Sequence, residues 1–441
     1  TNFLYTKSWK KTADGSFNSF ITMPPLAKVY NDDGSLREDV TEAGESHYNP
    51  LWNIDYSNNK SQTDRLLINF FVDWKITKDL SYRANGSLNT RTVHSNTYQG
   101  TKHTTGRNNN GKATAGTSFS NDYLFENIVN YVKDFNKNHH FDATFMQSVN
   151  VIEWKNLGIN GTGFANDDLT YNAIGSANEY GTPTWELSDR KLLSFLGRVR
   201  YNLFEKYLFT FALRVDGSSV FGQDNKWGTF WSAGASWRME QENFLKDISW
   251  LDQLKLRLSY GTSGNNQGLE RYQSLGLWDT GADYIYGTSS GTGHTQLANP
   301  HLRWEKQAMF NVGADFRFMN RFYGSFEYFH KSSKDLLYKY PLAASNGFES
   351  IMMNMAKVAN YGVELTLGAY ILRDTPVKWS VDLNLSSIRD EIKDLVGDDQ
   401  IISDTKKIWS KGYSQYEFYM PTWVGVDPAN GDPLWVKVDA N

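Results

Sequence analysis

Three short stretches combine residue types that carry out chemistry in proteins. Asp216-Gly217-Ser218-Ser219 places a carboxylate beside hydroxyl groups, as nucleophilic catalysis requires, but no histidine accompanies it. Residues 158–163, GINGTG, have the glycine content of a phosphate-binding loop, but no helix is predicted after them. Residues 427–432, DPANGD, have the acidic content of a calcium loop without its ligand spacing, so an ion is the weaker alternative to a turn. The sequence favours a turn, a loop and a turn at these three places.

The other residues that could bind metal or catalyse a reaction do not form a recognisable site. The eight histidines are scattered along the chain, and there are no cysteines. No nucleophile, base and orienting group occur together, and no pair of carboxylates can be placed at a catalytic separation. We therefore predict no enzyme activity, no metal and no cofactor.

The stretch from Leu192 to Ser219 shows the pattern on which the rest of the chain is built. Apolar residues alternate with polar ones in two arms that are joined by a short turn. Alternation with a period of two predicts a β-hairpin whose two faces meet different environments. One face carries Phe209 and Phe211, and the other carries Arg198 and Arg214.

Such a hairpin fits either a soluble β-sandwich or the wall of a membrane barrel. Soluble strands cluster near about 5 to 6 residues, whereas a tilted strand that crosses a bilayer needs about 9 to 11, and both arms are of the longer kind. An arginine at the bilayer midplane costs about 2 to 4 kcal/mol. Because the reverse orientation would place Arg198, Arg200 and Arg214 there, we predict that Phe209 and Phe211 face lipid and that the arginines face a wet lumen.

Pairs of strands of this kind recur along the chain. The connections inside each pair are short, at residues 76–79, 134–140, 204–206, 240–253, 319–321 and 372–376. The connections between pairs are mostly long, at residues 93–122, 152–191, 262–303 and 331–357. This alternation is typical of outer-membrane barrels, which have short periplasmic turns and long extracellular loops. The sequence therefore predicts an all-β fold, a transmembrane antiparallel β-barrel with about 12 to 14 strands.

The same alternation divides the chain into three regions. Residues 1–64 are predicted to form an extracellular loop region that follows the end of a strand. Residues 65–388 are predicted to hold the membrane-spanning strands, and residues 389–441 a second extracellular loop region. We therefore expect the chain to begin and stop in the middle of a barrel.

Composition and charge argue against two features, membrane-spanning helices and a nucleic-acid partner. The 441 residues contain no apolar run of the roughly 18 residues that a helical span needs, which argues against membrane helices. The formal net charge is −4, and no run of Lys and Arg accompanies a recognition motif. We therefore predict no nucleic-acid partner.

The second part of the chain contains an ordered series of motifs. They are RVRYNLFEKYLFTFALRVDGSSVF at residues 198–221, LKLRLSYG at 254–261 with GN at 264–265, LANP at 297–300 with LRWE at 302–305, NYGVEL at 360–365, and GVDP at 425–428 with GDP at 431–433. In this order the series resembles the SusC/RagA family of TonB-dependent outer-membrane transporters. The resemblance covers roughly residues 190–435.

The resemblance implies a barrel of 22 strands in the outer membrane of a Gram-negative bacterium. In this family an N-terminal plug closes the barrel, TonB supplies energy through the plug, and a SusD-like lipoprotein caps the barrel and delivers glycan or peptide. We find no plug and no TonB box in the sequence, and we expect strands before Thr1 and after Asn441. Because an open sheet edge in lipid leaves backbone groups unpaired at several kcal/mol each, further strands must close the wall.

Two sets of side chains are candidates for contact with solute or partner. The cations predicted to line the lumen are Arg198, Arg200, Arg214, Lys255, Arg257 and Arg317. Their alternative and preferred role is ion pairing with Asp315, Glu364, Asp382 or carboxylates of the plug. The aromatic residues predicted in external loops are Trp278, Tyr284, Tyr286, Trp409, Tyr413 and Tyr416. Their rings are suited to stacking on sugars, or to packing under a lipoprotein lid.

Three functions remain open from the sequence. The first is a SusC-like importer of oligosaccharides or peptides, and the second is a SusC-like barrel that acts as a scaffold subunit of a larger outer-membrane complex. The third and weakest is a soluble all-β protein that binds glycans. A plug with a TonB box upstream of Thr1 would favour import over the scaffold, and recovery from cells in plain buffer would eliminate both barrels.

Overall fold

A computed structural model describes residues 1–15, 17–41, 47–280, 284–285, 287, 289, 291–395, 397, 400–404 and 406–436, with the backbone alone at 344 and 400–404. Two short helices are described, α1 (Phe17–Ile21) and α2 (Pro50–Asp55). The strands are β1 (Asn2–Thr12), β2 (Asn59–Lys75), β3 (Leu80–Gln99), β4 (Lys112–Asn136), β5 (His139–Thr162), β6 (Glu179–Tyr180), β7 (Thr184–Leu203), β8 (Tyr207–Ser218), β9 (Trp227–Arg238), β10 (Leu251–Asn265), β11 (Leu277–Asp279), β12 (Gly293–Gln296), β13 (Glu305–Phe318), β14 (Phe322–Pro341), β15 (Ser350–Leu372), β16 (Trp379–Leu395), β17 (Gln400–Asp404), β18 (Lys407–Ser410), β19 (Trp423–Val426) and β20 (Pro433–Trp435).

Most of these strands belong to one 14-stranded sheet. Its order is β1-β2-β3-β4-β5-β7-β8-β9-β10-β13-β14-β15-β16, and β6 pairs with β5. Strands that follow one another in this sheet are neighbours, as in an up-and-down barrel wall. Among the described residues, β1 and β16 each pair with one neighbour. The predicted all-β fold and the predicted number of strands are confirmed.

The chain divides into two compact units. The first comprises residues 1–73, 83–127 and 148–191, and the second comprises residues 74–82, 128–147 and 192–441. Three two-stranded sheets of the second unit pair β11 with β12, β17 with β18 and β19 with β20. No helix among the described residues has both the length and the apolar character that crossing a bilayer requires.

The predicted hairpin at residues 192–219 is confirmed with its turn at residues 204–206. Phe209 lies directly opposite Tyr201 of β7 and Ala235 of β9, and Phe211 lies opposite Val199 and Ala233. Directly paired residues of an antiparallel sheet share a face. The same row continues across the second unit through Leu258, Val312, Tyr328, Val363 and Ser387.

This row defines what we call the apolar face of the second unit. Its large side chains are exposed rather than buried under another sheet, with exposed fractions of 47% for Phe209, 49% for Phe211 and 43% for Leu213. A water-soluble protein rarely leaves so wide a band of large apolar side chains uncovered. The other face, which we call the polar face, carries Thr210 and Arg214. The band is therefore suited to contact with lipid.

The strands extend further than the alternation of the sequence predicts. Residues 1–64 were expected to be a loop region after a strand end, but they include the complete 11-residue strand β1 and the start of β2. At the other end, β16 runs past the predicted limit of 388 to Leu395. The physical reason is that a strand above the hydrocarbon layer meets water on both faces, so its sequence no longer alternates.

The same extension corrects two motif assignments. Residues 158–163 were expected to be a loop, but β5 continues to Thr162 and only Gly163 has a positive φ, of 78°. Asp216, Gly217 and Ser218 are the last residues of β8 rather than a turn. The expected turn at residues 427–432 is confirmed, because Gly431 N–H donates to the Asp427 carbonyl at 2.8 Å between β19 and β20.

The two faces of β8 predict unequal costs for the same substitution. Phe211→Arg places a charge on the apolar face and should destabilise the inserted full-length protein by about 2 to 4 kcal/mol, whereas Thr210→Arg on the polar face should cost less than about 1 kcal/mol. Denaturant titration in liposomes measures both. Equal costs for the two variants would contradict the assignment of the faces.

Candidate functional site

The predicted lumen cations all lie on the polar face of the second unit. The positive charge of Arg257 is the most fully compensated by nearby carboxylates. Its guanidinium lies 3.0 Å from a carboxylate oxygen of Asp315 and 3.2 Å from one of Glu327. These three residues come from β10, β13 and β14, so the ion pairs join three neighbouring strands. Pairing with Asp315 agrees with the preferred alternative, and Glu327 is a partner that the sequence alone did not indicate.

Two further cations pair with carboxylates close to them in the sheet. Arg200 lies 2.6 Å from Asp142 of β5, and Arg214 lies 2.8 Å from Asp216 of its own strand. Arg214 also donates to the Ser194 hydroxyl at 3.1 Å. These pairs leave little net charge at the two arginines.

The positive charges of the other three predicted lumen cations are less fully compensated by carboxylates. Arg198 donates to the Thr144 hydroxyl at 3.3 Å, and its Nε has no partner among the described atoms. Lys255 lies opposite Asp315 in the ladder without an ion pair among the described residues. Arg317 lines a cavity of about 500 Å³ together with Arg373, Asp374 and Lys378. Among the predicted lumen cations, these three therefore have the least compensated charge within the described residues.

Two carboxylates that were expected to pair with the cations have other neighbours. Asp382 accepts a hydrogen bond of 2.6 Å from the Tyr323 hydroxyl. Glu364 lies directly opposite Glu327, so two acidic side chains meet on the polar face. In the part of the chain that the structure describes, no ion pair joins either one to a predicted lumen cation, so of the alternative partners Asp315 is the one observed.

The predicted loop aromatics fall into two groups. In the first, Trp278 of β11 contacts His294 of β12 with a ring separation of 3.6 Å, and Tyr284 packs against Gly293. Phe348 extends this group, with its ring 6.4 Å from that of His294. Trp278 keeps 63% of its surface exposed, so one ring face is available for a ligand. Tyr286 lies outside the described residues.

The second group lies on β18, which carries Trp409, and on the residues that follow it. The ring of Trp409 lies 4.9 Å from that of Tyr338 of β14, which ties β18 to the main sheet. The Lys407 ammonium lies 5.4 Å from the ring of Tyr416. Tyr413 and Tyr416 are 58% and 62% exposed. The sequence did not indicate His294, Phe348 and Tyr338. Their contacts depend on strand pairings between residues that lie far apart along the chain.

A buried aromatic cluster anchors the loops that follow β8 and β10. Phe221, Phe230 and Trp304 are its rings, with centroids 4.7 Å apart for Phe221 and Trp304 and 5.6 Å apart for Phe230 and Trp304. Trp304 Nε1 donates to the Lys226 carbonyl at 2.9 Å. At Gly222 a Cβ would lie 1.8 Å from the Pro300 carbonyl oxygen, so only glycine allows this approach. The motif series therefore builds a packed support for the loops that follow β8 and β10.

In the first unit a buried histidine holds the connection between β3 and β4. His103 is 2% exposed, and its Nδ1 accepts the Thr105 N–H at 3.0 Å. Its Nε2 lies 3.2 Å from a carboxylate oxygen of Asp14. Burial lowers the pKa of His103, the contact with Asp14 opposes this shift, and Arg107 adds to it. Among the described residues no group of three or more His, Cys, Asp or Glu could hold a metal ion.

This arrangement predicts that acid loosens the connection at residues 100–111. Because the pKa of His103 is lower in the folded loop than in the unfolded chain, stability is present above about pH 6.5 and is lost as the pH falls through the folded pKa. Hydrogen exchange of this segment, corrected for intrinsic rates, should quicken between pH 7.5 and 5. His103→Asn keeps an acceptor for Thr105 and should remove the dependence, and an unchanged dependence in this variant would contradict the role of His103.

Comparison with known proteins identifies the class of protein. The family described as TonB dependent receptor-like, beta-barrel matches residues 8–423. The chain belongs to this family. The resemblance inferred from the motif series, and with it the barrel fold class, is confirmed.

Named relatives place the chain within this family. TonB-dependent receptor P39 of Formosa agariphila is 30% identical over 357 residues, which are 80% of this chain and 34% of that protein. TonB-dependent receptor SusC of Bacteroides thetaiotaomicron is 36% identical over 214 residues, which are 47% of this chain and 21% of that protein. The chain thus spans about a third of the length of P39.

Solved structures share the fold. The RagAB peptide transporter matches with a TM-score of 0.82 at 24% identity, over 91% of this chain and 45% of that chain. A second RagAB structure, of the importer in its open-open state, gives a TM-score of 0.80 over 92% of this chain. At this level of identity the match establishes the sheet architecture.

Proposed function

We propose that this chain is the barrel part of a SusC-like importer in the outer membrane of a Gram-negative bacterium. In this proposal a SusD-like lipoprotein delivers oligosaccharide or peptide, and TonB supplies energy through a plug. The observation that carries the proposal is the separation of the two faces, with exposed Phe209 and Phe211 on one and Arg257 with its carboxylates on the other. Membership of the TonB-dependent receptor family supports it.

The polar face is suited to the wall of a path for polar solutes. Ion pairs such as Arg200 with Asp142 satisfy each charge within the wall and keep the strands rigid. A wall in which every charge was free would hold a polar solute too tightly for it to leave. The less compensated Arg198, Lys255 and Arg317 provide the weak, distributed attraction that transport requires.

The loop aromatics are suited to capture of solute or to contact with a lid. Trp278 and Trp409 are each held on one side by another ring, His294 and Tyr338 respectively. A ring fixed in this way loses little conformational entropy when its exposed part stacks on a sugar or on a peptide side chain, and Trp278 is exposed whereas Trp409 is half-buried. The cluster of Phe221, Phe230 and Trp304 supports these loops on the second unit.

Uptake by the full-length protein tests this function. In a strain that lacks the native copy, the wild-type protein should import fluorescent oligosaccharides or peptides only when TonB is present. Trp278→Ala and Trp409→Ala should each raise the half-saturating concentration by about 5- to 10-fold, which corresponds to about 1 to 1.4 kcal/mol of stacking. Trp231→Ala removes an equally large ring from the apolar face and should leave this concentration unchanged.

Three results bear against the proposal. Correct insertion without any TonB-dependent uptake of either solute class would favour the scaffold role. Equal effects of Trp231→Ala and Trp278→Ala would remove the loop aromatics from solute capture. Recovery of the protein in buffer without detergent would contradict the membrane location.

A further inference from the structure

A cavity of about 500 Å³ in the second unit is lined by residues at the turns that join β13 to β14 and β15 to β16. Its charged lining groups are Arg317, Arg373, Lys378 and Asp374. None of the four makes an ion pair among the described residues, so three positive charges are set against one negative charge. Because short turns of outer-membrane barrels are periplasmic, the cavity lies at the periplasmic end of the wall.

Two hydrogen bonds hold the turns side by side. Arg373 Nη1 donates to the Asn320 carbonyl at 2.7 Å, and the Tyr370 N–H donates to the Arg321 carbonyl at 2.9 Å. The first bond uses only part of the donor set of the guanidinium, and the rest is available to an anion. The cations therefore reach the cavity from two elements that are joined to each other.

Tyr323 separates Arg317 from Asp382 on the polar face. Arg317 lies directly opposite Tyr323, and the same row continues through Gly368 to Asp382. The ring of Tyr323 crosses Gly368, where a Cβ would lie 2.2 Å from it, and its hydroxyl donates to Asp382 at 2.6 Å. A hydroxyl rather than a guanidinium thus occupies this carboxylate, and the charge of Arg317 stays uncompensated.

The facing acidic residues of the polar face lie farther from the periplasmic turns. Glu327 and Glu364 are each four positions from the row of Tyr323 and Gly368, which is about 13 Å along the strands. Glu327 is also compensated by Arg257. Positive and negative charge are therefore separated along the wall, and the periplasmic end is the positive one.

The lining of the cavity is suited to an anionic group that binds and leaves again. A guanidinium binds a carboxylate through two parallel hydrogen bonds, and an ammonium binds it as a point charge. Tyr370 and Trp379 add ring surface, and the Tyr370 ring is placed by that of Tyr323 at 5.2 Å. Because Arg317, Arg373 and Lys378 are exposed, their attraction is moderate and is screened by salt.

We infer that the periplasmic end of the polar face is a carboxylate-binding site that the solute contacts as it leaves the barrel. A carboxylate is the anionic group that peptides share with acidic oligosaccharides, so the site selects solutes that carry one. The role in solute exit rests on the proposed transport function. Attraction of an anion depends on the cavity alone.

Thiol chemistry at Ser380, which lines the cavity, measures the attraction without transport. Ser380→Cys in the detergent-solubilised full-length protein is treated with a thiosulfonate that carries a carboxylate and with an uncharged one of similar size. Relative to a free thiol, the anionic reagent should be favoured by about 10-fold at low ionic strength, and added salt should remove this preference. Arg317→Gln combined with Lys378→Gln leaves Arg373 balanced by Asp374 and should also remove it.

Two controls match this measurement. Thr210→Cys lies on the same face beside Arg200, which is compensated by Asp142, and should show no preference for the anionic reagent. Lys137→Gln combined with Lys246→Gln removes two exposed lysines of other short connections and should keep the preference at position 380. Rates are corrected for the parent protein. Equal rates for the two reagents at position 380, a preference that survives the Arg317 and Lys378 variant, or no reaction with either reagent would overturn the inference.

Uptake by the full-length protein distinguishes the two sources of the carboxylate. The probes are a fluorescent peptide with its C-terminal amide, and a fluorescent oligosaccharide containing uronic acid with its carboxyl-reduced form. The Arg317 and Lys378 variant should lower uptake of the carboxylate member of the transported pair by about 5-fold relative to its neutral partner. Equal effects on both members would contradict a role in exit. Entry of neither solute class would count against the proposed function, whereas the thiol measurement would still decide whether the cavity attracts an anion.

Discussion

The structure depends on one constraint, that alternate residues of each long strand meet opposite environments. Lipid offers no hydrogen bonds to the backbone, so the strands must satisfy one another through a continuous ladder. The ladder in turn fixes which residues share a face, and Phe209 and Arg200 are therefore on opposite sides of the wall although they lie in one hairpin. Everything proposed about solute, lid and lipid follows from this division.

The ends of the strands are stabilised in a different way, by small buried cores. Beyond the hydrocarbon layer both faces meet water, and the chain must build cores of its own to hold its connections. One such core contains Phe221 and Trp304 in the second unit, and another contains Tyr98 and Phe164 in the first. The ion pair of Arg257 with Asp315 contributes within the wall instead, where it joins strands and satisfies charge. Loops that pack on such cores provide defined positions for aromatic side chains.

The sequence predicted the fold well where alternation was strong and poorly where it was weak. The hairpin of β7 and β8 with its turn at residues 204–206 followed from period-two apolar residues alone. Strand β1 was missed because most of its residues beyond Tyr5 are polar or charged, as a strand above the lipid permits. The placement of Arg257 on the polar face followed from the same alternation, but its partner Glu327 did not, because that contact depends on the register of three strands. The contact of Trp409 with Tyr338 was hidden for the same reason.

The division between the two faces can be measured directly, because the chain contains no cysteine. Single substitutions Phe209→Cys, Thr210→Cys, Phe211→Cys and Ala212→Cys in the full-length protein each carry one fluorophore, and the protein is placed in liposomes with brominated acyl chains. The account predicts strong quenching at 209 and 211, weak quenching at 210 and 212, and the reverse order for reaction with a water-soluble thiol reagent. Equal quenching at all four positions, or stronger quenching at 210 and 212, would contradict it.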